Sequence, residues 1–425
     1  MARHYLPRVV DLELDELMPQ LPAIALEGPK AVGKTETARR RAKIIHQLDE
    51  PGQRAIVEAD PTRALGGTPP LLIDEWQRVP AVWDAVRRAV DAGSPPSQFL
   101  LTGSASPPNA PTHSGAGRIV TVRMRPLSLA ERGLESATVS LRSLLAGGRP
   151  DVSGRTGIEL EDYVDEIVRS GLPGLRSYRG RALLAQLDGY LSRIIDTDFE
   201  EQGLQVRRPQ TLRRWIAAYA AATATTASFE TIRDAATGGQ GDKPSRSATQ
   251  PWRDVLERLW ILDPVAPWLP TQNHLNRLAQ IPKHHLADPA LAAAMLGIDA
   301  TALLKGVETG PRIPRAGLLL GRLFESLVTL SLRVYAQAAE TELRHLRLHG
   351  GSQEVDLIIE RSDRRVIAAE VKLGRTVVDD DVRHLLWLRE KLGADLVDAV
   401  VINTGPEAYR RKDGIAVIPA VLLGP

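Results

Sequence analysis

The apolar positions of this chain fall into short runs set between longer amphipathic stretches. From about residue 20 to 125, the runs Ala23–Leu26, Leu71–Ile73, Phe99–Leu101 and Ile119–Val122 alternate with helical stretches, a pattern that predicts a parallel α/β sheet. The stretch from Glu36 to Lys43 reads as the helix that follows the first strand. Gly- and Pro-bearing sequence at 146–151 marks a boundary. From Leu160 to about Leu304 the pattern is mostly helical, with breaks at 171–174 and 238–241. Residues 311–314 (Pro-Arg-Ile-Pro) open a third region: an apolar helix from Leu318 to Tyr335, then strand-like runs at Val355–Ile359, Val366–Leu373 and Val397–Ile402. The predicted units are 1–145, 155–305 and 311–425, with no internal repeat.

Composition narrows the classes. At 425 residues the chain exceeds what one core supports. Hydrophobic content of 43% and charged content of 25% are those of an ordinary folded protein. Cysteine is absent, which excludes disulfides and thiolate metal sites and fits a reducing cytoplasm. No apolar stretch reaches about 18 residues, and Met1–Tyr5 lacks the apolar core of a signal peptide. The expectation is a cytoplasmic protein without a membrane partner. A net charge of +2 argues neither for nor against nucleic acid. Only nine of the 54 basic residues are lysine, so Lys34 and Lys372, both inside motifs, carry weight.

Gly28-Pro29-Lys30-Ala31-Val32-Gly33-Lys34-Thr35 fits the phosphate-binding loop GxxxxGK[ST], between a predicted strand and a predicted helix. Such a loop aims backbone N–H groups at one point, and the helix adds about half a positive charge at its N-terminus. Lys34 would reach the β- and γ-phosphates and Thr35 would hold Mg²⁺. Leu71-Leu72-Ile73-Asp74-Glu75 is a buried strand ending in two acids: Asp74 for the Mg²⁺ shell, Glu75 to polarise the attacking water. The plain alternative is a strand with a solvated acidic turn. Thr102 or Ser104, at the end of the Phe99 strand, could sense the γ-phosphate. Arg118 could stabilise charge in cis or on a neighbouring subunit. No Asn is followed by Lys, so the guanine-specific Asn-Lys-x-Asp stretch is missing and ATP is favoured.

In the middle unit, Ser228 reads as a helix cap and Asp254–Trp260 as a helix followed by apolar sequence, as in a small winged helix. Arg246 and Arg253 could then lie near DNA phosphates; a helical packing module with solvated arginines is the alternative. His284, His285 and Asp288 read as surface or packing residues. In the third unit, two strands joined by a polar turn at Ser362–Arg365 carry Asp356, Glu370 and Lys372. Period-two geometry puts Glu370 and Lys372 on one face, where Asp356 can meet them. This D-x(n)-ExK arrangement would hold Mg²⁺ on the acids, Glu325 included, with Lys372 activating water. A structural salt bridge is the alternative.

Together these residues resemble a family of prokaryotic ATP-binding proteins that join an AAA-type P-loop module to a C-terminal domain similar to the PD-(D/E)XK restriction-endonuclease fold. The likeness also covers the segments Arg125–Glu131, 170–173, 282–288, Gly321–Glu325 and 354–356. It implies an α/β chain: an AAA-like parallel-sheet P-loop domain, a helical winged-helix-like middle and a C-terminal α/β restriction-endonuclease-like domain. Thr and Ser stand where AAA proteins commonly carry Asn on the sensor strand. The implied function is a Mg²⁺-dependent ATPase coupled to a nuclease-like domain acting on DNA. The rivals are an ATP-dependent switch that binds DNA or protein without cleavage, and a homo-oligomeric AAA-type remodelling protein.

Overall fold

The computed structural model describes residues 5–104, 115–237, 243–268, 281–306, 318–348 and 353–425. The predicted break at 238–241 and the opening of the third unit at 311–314 lie outside these residues.

The N-terminal unit is built on five parallel strands, β1 (Ala23–Glu27), β2 (Ile44–Gln47), β3 (Leu71–Asp74), β4 (Phe99–Gly103) and β5 (Val120–Arg123), in the order 2-3-4-1-5. β1, β3 and β4 are nearly continuous apolar runs because the sheet is covered on both faces. Registers Asp74↔Thr102 and Glu27↔Gly103 bring the carboxyl ends of these strands to one edge, where ligands of such sheets collect. The sequence reading fails at β2. The helix expected to reach Lys43 spans only Lys34–Arg39, and Ile44–Gln47 pair with β3 at the sheet edge. Two adjacent isoleucines favour a strand, but only the partner decides it.

The middle unit is helical. Ser228 caps its helix as expected, accepting from the Thr231 N–H at 3.0 Å. The helix expected at Asp254–Trp260 instead spans Arg246–Arg258, because the Ser245 hydroxyl caps it ahead of Pro251. Short antiparallel bridges then join Leu262 to Leu286 and Val265 to Lys283.

The C-terminal unit opens with the helix Leu319–Ala338. An antiparallel meander follows, β8 (Glu342–Arg347), β9 (Glu354–Glu360) and β10 (Val366–Val371), then the helix Asp379–Leu392 and β11 (Leu396–Asn403), parallel to β10. β12 (Glu407–Arg410) and β13 (Ala416–Pro419) extend the sheet. The stretch 146–151 read as a boundary is bound to this unit. β6 (Val139–Ser140), just before it, pairs with β14 (Leu423–Gly424), and β7 (Gly154–Arg155), just after it, pairs with β12. Arg410 also donates to the Pro150 carbonyl at 3.0 Å.

Helix Leu319–Ala338 is the spine of the molecule. It buries Leu323, Phe324 and Leu327 in the core shared by all three units. Its polar side chains seize backbone groups of the N-terminal unit: Ser331 Oγ accepts from the Leu129 N–H and the Tyr335 hydroxyl from the Ala130 N–H, both at 3.0 Å. Gln337 donates to the Arg123 carbonyl at 2.8 Å. Beside it, the buried carboxylate of Asp263 joins Arg123 (3.2 Å) and Arg125 (2.9 Å) of the N-terminal unit to Arg333 of the spine. Burial alone would raise the Asp263 pKa, but the three guanidinium groups outweigh it and hold it below the ordinary carboxylate range. Asp263→Ala should therefore lower the unfolding free energy by about 3–5 kcal/mol, because three buried cations lose their shared partner. A urea titration reads this as a lower midpoint at unchanged slope; a change under about 1 kcal/mol would show that the cluster joins nothing.

Candidate functional site

The loop after β1 is shaped by its glycines. Gly28 has φ +153°, and a Cβ there would sit 2.1 Å from the Met124 carbonyl oxygen. Gly33, at φ +103°, turns the chain into the helix Lys34–Arg39. Lys34 is 5% exposed, and its ammonium donates to the carbonyls of Gly28 (2.9 Å) and Pro29 (2.8 Å). Thr35 Oγ1 donates to Asp74 Oδ1 at 2.8 Å, and the Thr102 hydroxyl donates to the same oxygen. Glu75 follows in a left-handed conformation, φ +56°. Its carboxylate accepts from Gln77 Nε2 at 2.5 Å and from Ser104 Oγ at 3.3 Å.

Gly33, Lys34, Thr35, Glu75 and Ser104 line a cavity of about 640 Å³, with Tyr5, Leu6 and Arg8 on one wall and Pro173 and Gly174 of the middle unit on another, and Asp74 stands behind Thr35. An ammonium, a hydroxyl and two carboxylates at one end of a cavity suit a polyphosphate with a divalent cation. Lys34 now directs its hydrogen bonds to neutral carbonyls, which a phosphate oxygen could replace with a stronger acceptor. Burial pulls the Lys34 pKa down to about 8, with Glu75, Asp74 and Glu27 opposing.

Other predicted residues stand elsewhere. Lys30 turns its side chain out of the loop to Asp198 (2.7 Å) and Glu201 (3.5 Å) of the middle unit. Ala31 takes φ +65°, and the Val32 carbonyl accepts from Arg8 Nη1 at 2.8 Å. Arg118 is not brought to the cavity. β5 runs parallel to β1 with Val120 beside Ile24, so Arg118 lies at the amino end of the sheet, opposite the phosphate loop. There it pairs with Asp91 at 2.8 Å. A role in cis is corrected by that placement.

The C-terminal acids do converge. β9 and β10 pair antiparallel with Ala369 opposite Leu357, so the next step of the register sets Glu370 against Asp356. Glu370 contacts Lys372 at 2.9 Å, and Asp356 accepts from the Val371 N–H at 3.0 Å. Glu370 Oε1 is buried without a hydrogen-bond partner. Burial and Asp356 push Glu370 up, while Lys283 and Lys372 outweigh burial and hold Asp356 down. The predicted metal set Glu325, Asp356 and Glu370 is already paired with the ammonium groups of Lys283 and Lys372, and burial still pushes the Glu325 pKa up to about 8 against the pull of Lys283. Lys283 Nζ lies 2.7 Å from Glu325, 3.1 Å from Asp356 and 3.7 Å from Glu354. Among the described residues no group of three or more His, Asp or Glu is arranged to hold a metal ion.

Sequence reasoning missed Lys283, although it is one of only nine lysines and adjoins two histidines. Its side chain crosses between units, which no local pattern encodes. His284 and His285 are buried packing residues: His284 Nε2 bonds the Ala227 carbonyl at 2.7 Å, and His285 Nδ1 bonds Ser326 at 3.3 Å. Asp288 is fully buried and binds Ser170 Oγ at 2.6 Å. Arg246 pairs with Glu230 at 3.2 Å and Arg253 stacks over Phe229, so both serve contacts within the middle unit.

The Lys34 shift has a measurable consequence without any ligand. Its folded pKa lies below its unfolded value, so the native state binds fewer protons between about pH 8 and 10.5. The stability of the wild type relative to Lys34→Met should therefore climb as pH rises from 8 to 10, by about 1.4 kcal/mol per unit at most. Urea midpoints of the two proteins across that range check this, and a falling difference contradicts it.

Residues 20–132 match the model of the AAA domain. Residues 160–302 and 320–423 match two domains of unknown function, DUF8612 and DUF4143. The uncharacterized proteins Mb2031c of Mycobacterium bovis and Rv2008c of Mycobacterium tuberculosis are each 25% identical over 408 residues, 94% of this chain and 80% of theirs. A Walker-type ATPase of Pyrococcus abyssi superposes with a TM-score of 0.38 at 17% identity, over 67% of this chain and 94% of that one, too low a score to carry a structural argument. No helix among the described residues is long and apolar enough to cross a membrane. With its phosphate-loop sequence, its parallel sheet and the AAA match, the N-terminal unit is a P-loop ATPase domain.

Proposed function

We propose that this chain is a Mg²⁺-dependent ATP hydrolase whose nucleotide site governs a nuclease-like acid–lysine site that acts on DNA. The observation that carries the ATPase part is the convergence of Thr35 and Thr102 on Asp74, beside the buried ammonium of Lys34. In this reading Lys34 holds the β- and γ-phosphates, and Thr35 with Asp74 holds the cation. When bound, that cation would neutralise charge on the transferring phosphoryl group. Glu75 orients the attacking water, and Thr102 reports on the γ-phosphate through the carboxylate it shares with Thr35. Gln77 and Ser104 fix the Glu75 side chain, so its strained backbone aims one carboxylate at the cavity.

The cross-strand meeting of Asp356 and Glu370, with Lys372 alongside, supports a cation-dependent hydrolytic site in the C-terminal unit. Middle-unit helices followed by antiparallel bridges support a winged-helix-like DNA contact. A second reading, an ATP-driven switch that binds DNA without cutting it, is favoured by one observation. Lys283 already pairs with two of the carboxylates that a cation would need.

Lys34→Ala should weaken ATP binding by at least about 100-fold, since it removes charge-assisted contacts worth about 1.5–3 kcal/mol each. Titration with a fluorescent ATP analogue measures this, and unchanged affinity defeats the phosphate-loop assignment. Glu75→Gln should keep ATP affinity while turnover drops by about 10²–10⁴. Plasmid or branched DNA incubated with Mg²⁺ or Mn²⁺ and ATP should be cut by the wild type and spared by Glu370→Ala and Lys372→Ala. Intact DNA in every case favours the non-cleaving switch.

A further inference from the structure

Lys283 belongs to the middle unit by its backbone and to the C-terminal unit by its charge. Its N–H and C=O both pair with Val265, each at 2.9 Å, in the ladder that also joins Leu262 to Leu286. From that rigid mount the side chain, 1% exposed, reaches across to Glu325 on the spine helix and to Glu354 and Asp356 on β9. Glu370 on β10, next to Asp356 in the register of the two strands, carries a buried oxygen without a hydrogen-bond partner. Lys372 serves Glu370 from the other side.

We propose that Lys283 is a tethered cation: its ammonium occupies the seat of the divalent ion in the C-terminal acid–lysine site and keeps that site closed to metal. This rests on the reading of Asp356 and Glu370 as cation-binding acids given above. An ion bonded to Glu325 and Asp356 would lie about 2.0–2.6 Å from their oxygens. Nζ already stands 2.7 and 3.1 Å from the same two groups, so the ion and the ammonium would overlap. Two positive charges at such separation in a poorly hydrated site repel strongly, and occupation is exclusive. A buried lysine among acids is a poor device for stability alone, since desolvation of each charge offsets much of the attraction.

The mount gives the plug a handle. The middle unit that carries Lys283 also grips the phosphate loop, through Lys30 to Asp198 at 2.7 Å and through the Tyr190 hydroxyl to the Lys30 carbonyl at 3.2 Å. The site opens only if the Val265–Lys283 ladder moves away from β9, so the unit that closes the metal seat is the one in contact with the nucleotide loop.

Mn²⁺ binding to the full, nucleotide-free chain, followed by electron paramagnetic resonance, tests the plug. The wild type should show no Mn²⁺ site that depends on Glu370. Lys283→Met should gain one, at least tenfold tighter than any wild-type binding, and Lys283→Met with Glu370→Gln should lose it. If Lys283→Met fails to fold, Lys283→Met with Glu325→Gln removes one charge of each sign, keeps Asp356, Glu354 and Glu370, and is read the same way. A wild type that already binds Mn²⁺ through Glu370 as tightly as Lys283→Met overturns the plug and leaves the cation-binding acids standing. Absence of a Glu370-dependent site from every variant overturns both.

Discussion

A single buried carboxylate, Asp263, ties the three parts of this chain together. It sits on the middle unit and receives Arg123 and Arg125 from the end of β5 and Arg333 from the spine helix. Burial disfavours charge on all four groups, and only their mutual attraction makes the arrangement tolerable. Arginine suits the place because its planar fork can bond two partners at once. Arg125 bonds Gln337 at 3.1 Å as well as Asp263, and Arg333 also bonds the Pro264 carbonyl at 2.5 Å. Any shift of one unit against another must break part of this cluster, so the units are held at a fixed spacing in this state.

That constraint explains why the nucleotide cavity is a composite. The phosphate loop, β3 and β4 supply the chemistry, while the wall formed by Pro173 and Gly174 comes from the middle unit. Lys30 leaves the loop to pair with a nearly buried Asp198, and Arg78, just past Glu75, reaches Glu201 at 3.6 Å. Both contacts attach the ATPase loop region to one short helical segment. Rearrangement of the loop around a polyphosphate would act first on that segment.

Two buried lysines carry opposite messages. Lys34 is lowered toward 8 because burial dominates and its bonded neighbours are neutral carbonyls. Lys283 is equally sequestered, yet the surrounding carboxylates outweigh burial and hold its pKa above the ordinary value. The first is an ammonium short of negative charge and suited to receive it. The second is already satisfied by acids that would otherwise draw a cation from solution.

The sequence by itself determined what is local and periodic. The glycine-bearing octapeptide, the apolar run ending in Asp74-Glu75, and the alternation carrying Asp356 opposite Glu370 all follow from short-range spacing, and the strands β1, β3, β4, β9 and β10 lie where the pattern puts them. Edge strand β2 did not, because a four-residue strand takes its identity from its neighbour. Nor did the placement of Arg118, since its distance from the loop depends on which strand β5 pairs with. Lys283, Asp263 and the arginines around it were decided by tertiary structure alone. Their partners lie 42 to 73 residues away for Lys283 and 70 to 140 for Asp263, and a charge is matched through space rather than along the chain.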